Sequence, residues 1–212
     1  MLTGLSRIWK IKMVSKIKEE LRLDHKIIGD MVDRGSTVLD VGCGAGDLLE
    51  YLVTNKDVKG SGVEISEDAI YSCVEKGLSV SHGDIDTGLK EYPDHMFDYV
   101  IFNQTMQQVQ RPKEAILEAL RIGKKVIIGF PNFCHAKARI QIFFGGHVPV
   151  TASLPYQWYD TPNLHFLSIR DFRSFCRAQR ISIEKEIYLS DRGEVKFLPN
   201  VFALNAIMQI KK

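Results

Sequence analysis

Two rhythms of apolar residues run along this chain. Short apolar runs at Thr37–Val41, Val58–Glu64, Leu78–His82, Phe97–Phe102 and Lys125–Phe130 read as strands. Between them the apolar residues return at helical spacing. Leu48, Leu49 and Leu52 follow Asp47, and Ile116, Leu117 and Leu120 follow Pro112. Another helix opens at Ser66, with Glu67 and Asp68 in its first turn. Acids there suit the helix dipole, and proline suits a first helical position. A helix at about Val14–Val32 precedes the first strand. Past the fifth strand, Phe133–Phe144 reads as a helix ended by Gly145–Gly146, and His147–His165 has little period. Ser168 and Asp171 form a capping box, with Leu167 facing Phe172 as its staple. Strands near Ile181–Leu189 and Val201–Ile210 close the chain as an antiparallel pair, joined through Ser190–Asp191–Arg192–Gly193. The alternation predicts an α/β fold: one seven-stranded, mainly parallel sheet, helices on both faces, and an antiparallel C-terminal hairpin.

Composition narrows the function classes. A chain of 212 residues, 45% hydrophobic and 25% charged, is an ordinary globular protein with room for a full core. A net charge of +2 favours neither nucleic acid nor membrane as a partner. Cys43, Cys73, Cys134 and Cys176 are scattered, which reads as reduced thiols in a cytoplasmic protein without a disulfide frame or metal site. No apolar run approaches the ~18 residues of a membrane span. The first twenty residues are basic and amphipathic, with Leu5, Ile8, Ile11, Val14 and Ile17 at helical spacing. They read as a surface helix with one docked face. The chain divides into a helical segment over 1–36 and a domain over 37–212, in which about 131–167 forms a lid or insert.

Candidate chemistry gathers at Val38–Asp47, VLDVGCGAGD. An apolar strand carrying Asp40 runs into Gly42, Gly44 and Gly46 and then into a helix. That geometry lets backbone N–H groups and a helix N-terminus approach a ligand. A dinucleotide fingerprint needs G-x-G-x-x-G, but here the third glycine comes one residue early and Asp47 takes its place. An acid two residues before the first glycine would repel a pyrophosphate and suits an amino group. This acid-x-G-x-G-x-G pattern resembles motif I of the class I S-adenosylmethionine (SAM) methyltransferases, a Rossmann-like fold. NAD is the runner-up ligand.

Ligands of open α/β sheets bind off the carboxyl ends of the strands. Strand one ends in Asp40 and the turn holding Gly42, Cys43, Gly44 and Gly46, which by the resemblance faces the amino-acid part of SAM or S-adenosylhomocysteine (SAH). Strand two ends in Glu64 and Ile65, and an acid there accepts hydrogen bonds from ribose hydroxyls. Strand three runs into Asp84 and Ile85, which suit an adenine amino group and ring. Strand four ends in Asn103 and Gln104, placed for the methionine part. Beyond strand five, His135, Tyr156, Tyr159, Asp160 and His165 are candidate acid–base groups. His165 and Asp160 are the preferred catalytic pair, because they sit among apolar and turn residues. Motifs of several acceptor classes are missing: the N/D-P-P-Y/F turn after strand four, a Pro-Cys nucleophile turn, and an acid cluster for metal-assisted O-methylation.

VLDVGCGAGDLL, GVEI, GDID, FDYVIFNQTMQ, the FPNF turn and above all PYQWYDTPNLHFLSIRDF resemble the MetW family of bacterial methionine-biosynthesis proteins, over about Leu21–Leu189. The resemblance implies the class I methyltransferase fold. It also implies a role with homoserine O-acetyltransferase (MetX), without an established methyl acceptor. Leu120–Arg121–Ile122–Gly123–Lys124 stands where methyltransferases usually carry L-x-P-G-G. Two functions follow as expectations. One is a SAM-binding partner that tunes the acetyltransferase. The other is an active methyltransferase on a small-molecule hydroxyl or carboxyl acceptor.

Overall fold

The computed structural model describes residues 23–151 and 153–212. A helix over 23–31 (α1) is the described part of the first predicted helix; its earlier turns and the basic N-terminal segment lie outside the described residues. The sheet contains β1 (Thr37–Val41), β2 (Lys59–Glu64), β3 (Val80–His82), β4 (Phe97–Asn103) and β5 (Gly123–Pro131), all parallel. It continues through β6 (Ser182–Ser190), β7 (Gly193–Glu194) and β8 (Asn205–Lys211). The spatial order is β3-β2-β1-β4-β5-β8-β6-β7. β8 runs antiparallel between β5 and β6, so the predicted closing hairpin is present.

The sheet has eight strands, not the seven expected. The extra one is the two-residue β7, which pairs Ser190 with Gly193 and Leu189 with Glu194. The Ser190–Gly193 turn therefore folds the chain back on β6 instead of leading straight into the last strand. β8 also begins later than expected. Pro199, with its fixed φ and missing N–H, opens a short helix α8 (Pro199–Phe202) in place of the strand's start.

Helices α2 (Asp47–Lys56), α3 (Glu67–Glu75), α4 (Ile85–Gly88), α5 (Pro112–Ile122), α6 (Ala136–Gly145) and α7 (Ile169–Ala178) connect the strands. Their ends follow the sequence signals. Ser66 accepts from the Ala69 N–H, Pro112 opens α5, and Gly146 closes α6 at φ 63°. Ser168 and Asp171 make both bonds of their capping box.

Strand alternation assigns the two cores. Leu39, Val41, Val100, Phe102, Ile128 and Phe130 face α5 and α7, meeting Ala119, Leu120 and Phe172. Val38, Tyr99, Ile101 and Ile127 face the other way, against Ile28 and Met31 of α1 and Leu48 and Leu52 of α2. α1 thus completes the second layer, although its residues precede the expected domain boundary at 37. Because β1 joins β2 on one side and β4 on the other, the chain changes direction across the sheet at the β1/β4 boundary. In open α/β sheets that boundary opens a crevice at the carboxyl ends of the strands.

Candidate functional site

A cavity of about 390 Å³ occupies that crevice. Gly42, Gly44, Glu64, Ile65, Asp84, Ile85, Asn103 and Gln104 line it, together with Thr105, Gln108, Val109 and Gln110. Eight of the eleven cofactor-site residues expected from sequence therefore meet around one space. The other three, Asp40, Cys43 and Gly46, are not part of its lining.

The glycine turn needs its glycines for different reasons. Gly42 and Gly44 both have positive φ, at 72° and 54°. A Cβ on Gly42 would stand 2.5 Å from Thr105 Cγ2, whereas one on Gly44 would meet nothing within 4 Å. Gly42 is thus packed against the loop after β4, and Gly44 faces open space. Gly46 lets α2 close onto α3, since a Cβ there would collide with Leu78 and Cys73. Cys43 is buried under the turn beside Gly62, and burial pushes its thiol well above the ordinary value. It works as packing.

Glu64 braces the same turn. Its Oε2 accepts from the Gly44 N–H at 2.8 Å, and its Oε1 accepts from Ile65 and Ser66 N–H at 2.8 and 2.9 Å. An ionised carboxylate has about four lone-pair sites, so one remains for a ligand donor. Asp84 caps α4, its Oδ1 accepting from the Asp86 N–H at 2.9 Å, while the residue stays exposed at the cavity edge. Asp86 in turn accepts from Gln110 and Arg111 N–H, holding the loop after β4 against α4.

Asp40 is 2% exposed, and no protein donor meets its carboxylate among the described residues. Burial, reinforced by the Glu64 charge, pushes its pKa up to about 7. A neighbouring cation would relieve that cost.

Sequence reading missed a second buried acid. Asn103 Nδ2 donates to Asp24 Oδ2 at 2.9 Å, bringing α1 to the cavity rim. Burial raises the Asp24 pKa, opposed by the bond from Asn103 and by His25. The Asn103 Oδ1 atom is buried and without a partner among the described residues. The missed signal was positional: Asp24 lies four residues before Ile28, on the apolar stripe that buries α1. Thr105 directly follows Asn103 and Gln104 at the end of strand four, whereas Gln108–Gln110 were missed because the loop after β4 has no period to read.

Among the described residues, the ionisable groups in the lining are acids, and neither lysine nor arginine lines the cavity. Such a wall repels phosphate and attracts a cation. Ile65, Ile85 and Val109 add an apolar side fit for a flat ring. These features match a sulfonium nucleoside: acids for its charged end and ribose, and apolar groups for its base.

The expected catalytic pair lies elsewhere. Asp160 caps its own turn, its Oδ1 accepting from the Gln157 N–H at 2.7 Å, and it is exposed. His165 is exposed, with its backbone N–H donating to Gln107 O at 3.0 Å. Neither they nor Tyr156 or Tyr159 line the cavity. His135 is buried as the N-cap of α6, its Nδ1 accepting from the Ala138 N–H at 3.0 Å. That bond requires an unprotonated Nδ1. Desolvation lowers its pKa.

The family model of the methionine biosynthesis protein MetW matches residues 22–210. The chain belongs to the MetW family. It is 32% identical over 184 residues to the bifunctional methionine biosynthesis protein MetXA/MetW of Rhodopirellula baltica, covering 82% of this chain and 30% of that protein. It is 36% identical over 117 residues to phosphoethanolamine N-methyltransferase 3 of Arabidopsis thaliana, covering 50% of this chain and 23% of that one. The chain thus spans under a third of the length of both relatives. A crystal structure of a SAM-dependent methyltransferase from Archaeoglobus fulgidus superposes with a TM-score of 0.65 at 19% identity, covering 98% and 99% of the two chains. At that identity the likeness carries the class I methyltransferase fold. Among the described residues, no helix is long and apolar enough to cross a membrane.

Proposed function

We propose that this MetW-family chain binds SAM, or its product SAH, in the β1/β4 crevice and acts in methionine biosynthesis with a homoserine O-acetyltransferase of the MetX kind. The observation carrying the ligand reading is the cavity wall itself, whose ionisable groups among the described residues are acids, beside a turn whose Gly44 leaves room for close approach. Glu64 takes the ribose hydroxyls with its remaining lone pair. Asp40 supplies negative charge behind the turn for the amino-acid end. Asp84 and Asn103 offer polar contacts at opposite ends, and Ile65 and Ile85 flank the base. Bound there, SAM presents an electrophilic methyl group on a cationic sulfur.

The partner reading is supported by the relative whose name joins MetXA and MetW in one chain. Acyl transfer from acetyl-CoA to homoserine, measured for the acetyltransferase with and without this chain, tests it. Stimulation or inhibition of the rate is expected, and a rate unchanged at saturating chain refutes it.

The second reading, methyl transfer to a small hydroxyl or carboxyl acceptor, is favoured by the similarity to phosphoethanolamine N-methyltransferases. Roles for Asp160 and His165 in it require the 153–166 segment to close over the cavity. Transfer of labelled methyl from SAM into a cell extract separates the two readings.

A further inference from the structure

α6 is an unusual helix for a surface position. Its sequence AKARIQIFFG is apolar on most sides, yet Ala138 is its sole buried residue. Helices apolar all round are normally buried. Phe143 and Phe144 are 81% and 79% exposed, and Trp158 in the following segment is 73% exposed. Phe197, just before α8, is 73% exposed as well.

These rings stand on a fixed backbone. Gln141 bonds both ways to Val150, donating to its carbonyl at 3.2 Å and accepting its N–H at 3.0 Å. Further along, Leu164 and His165 N–H both donate to Gln107 O. Asn200 ties α6, α7 and α8 together: its carbonyl accepts from Arg139 Nη2, and its Oδ1 accepts from the Arg170 N–H. The exposed rings pair within their own segments, Phe143 with Phe144, Trp158 with Tyr159 and Phe197 with Phe202, and the Arg139–Asn200 bond sets α6 beside α8. Water-exposed apolar area of this kind marks a docking surface.

Resting on the proposed function, we propose that this face, α6 with the 153–166 segment and the loop before α8, is where the acetyltransferase chain docks. The occupant is argued from the fused relative. There a MetXA portion shares one chain with the portion similar to this one, which spans 30% of its length. Such linkage keeps a receiving surface permanently beside its partner. The face also lies outside the cavity lining, so docking there leaves the ligand site its own opening.

The test uses the full chain with purified homoserine O-acetyltransferase. Binding is measured for the wild type and for the F143D/F144D variant, which places charge on the face without touching buried residues. Circular dichroism and SAM affinity serve as controls for folding. At least a tenfold loss of partner affinity, with folding and SAM affinity kept, is expected. Unchanged partner affinity overturns the surface while leaving the proposed function standing. No binding by the wild type overturns both. A photoreactive benzoylphenylalanine at position 144 identifies the occupant independently. Crosslinking to the acetyltransferase supports the assignment, and crosslinking instead to a second copy, or to residues 1–22 of the same chain, overturns it.

Discussion

Replacing Asp40 by asparagine separates its charge from its shape. A carboxylic acid held at about 7 instead of near 3.8 is protonated in the fold where the unfolded chain has already lost its proton. Between about pH 4 and pH 7 the native state binds more protons, so stability falls as pH rises through that window. The full difference corresponds to about 4 kcal/mol, an upper order of magnitude for one buried carboxyl. The Asp40→Asn side chain does not titrate and has no such slope. The variant is therefore expected to match wild type only below about pH 4, where both states are protonated, and to exceed it in urea midpoint at pH 8. Ligand binding runs the other way. If a cation binds the ionised form, affinity of the wild type rises with pH, by about fifteenfold between pH 5.5 and 7.0 for a group titrating near 7. Both values lie below the titration of an α-amino group, near 8. The asparagine variant is expected to bind SAM more weakly, with little pH dependence over that range. Urea denaturation and isothermal calorimetry at each pH are the assays. Equal stability slopes, or equal SAM affinity, in the two proteins would refute the role assigned to the buried acid.

Four further substitutions probe other parts of the account. Glu64→Gln loses charge from three hydrogen bonds, each worth about 1.5–3 kcal/mol, and is expected to weaken SAM ten- to a hundredfold by calorimetry. Gly44→Ala and Gly42→Ala are expected to differ. The first costs about 1–2 kcal/mol of positive-φ strain and blocks the ligand, while the second also collides with Thr105 and loses more stability in thermal melts. Asn132→Ala leaves the Ala203 carbonyl and the Cys134 N–H without their partner, while the Asn200 carbonyl keeps its bond from Arg139. A loss of about 1–3 kcal/mol in denaturant titration is expected, with SAM affinity retained.

The layers and much of the site were legible because they rest on periodic or local signals. Val38, Leu39 and Val41 gave a strand by composition, and their alternation distributes them between two cores. Ser66, Pro112, Gly146 and the Ser168–Asp171 pair act through bonds within their own turns, so short sequence windows reveal them. Gly42, Gly44, Glu64, Asp84 and Asn103 were readable because each ends or follows a strand, and parallel strands bring their ends together. What escaped depends on long-range placement. Asp24 reaches Asn103 across 79 positions of sequence; its place on the apolar stripe of α1 marks it as buried but does not say what it meets. The β6–β7 hairpin escaped because two residues carry no period. Aromatic content over 131–167 does not tell a ring turned toward a cavity from one turned toward water. Trp158 and Tyr159 are turned outward.

The most direct measurement is a crystal structure of the chain grown with SAH. The account predicts the nucleoside in the β1/β4 crevice, its ribose hydroxyls on Glu64 and its base beside Ile65 and Ile85. Density for SAH elsewhere, or an empty crevice at saturating ligand, would contradict it.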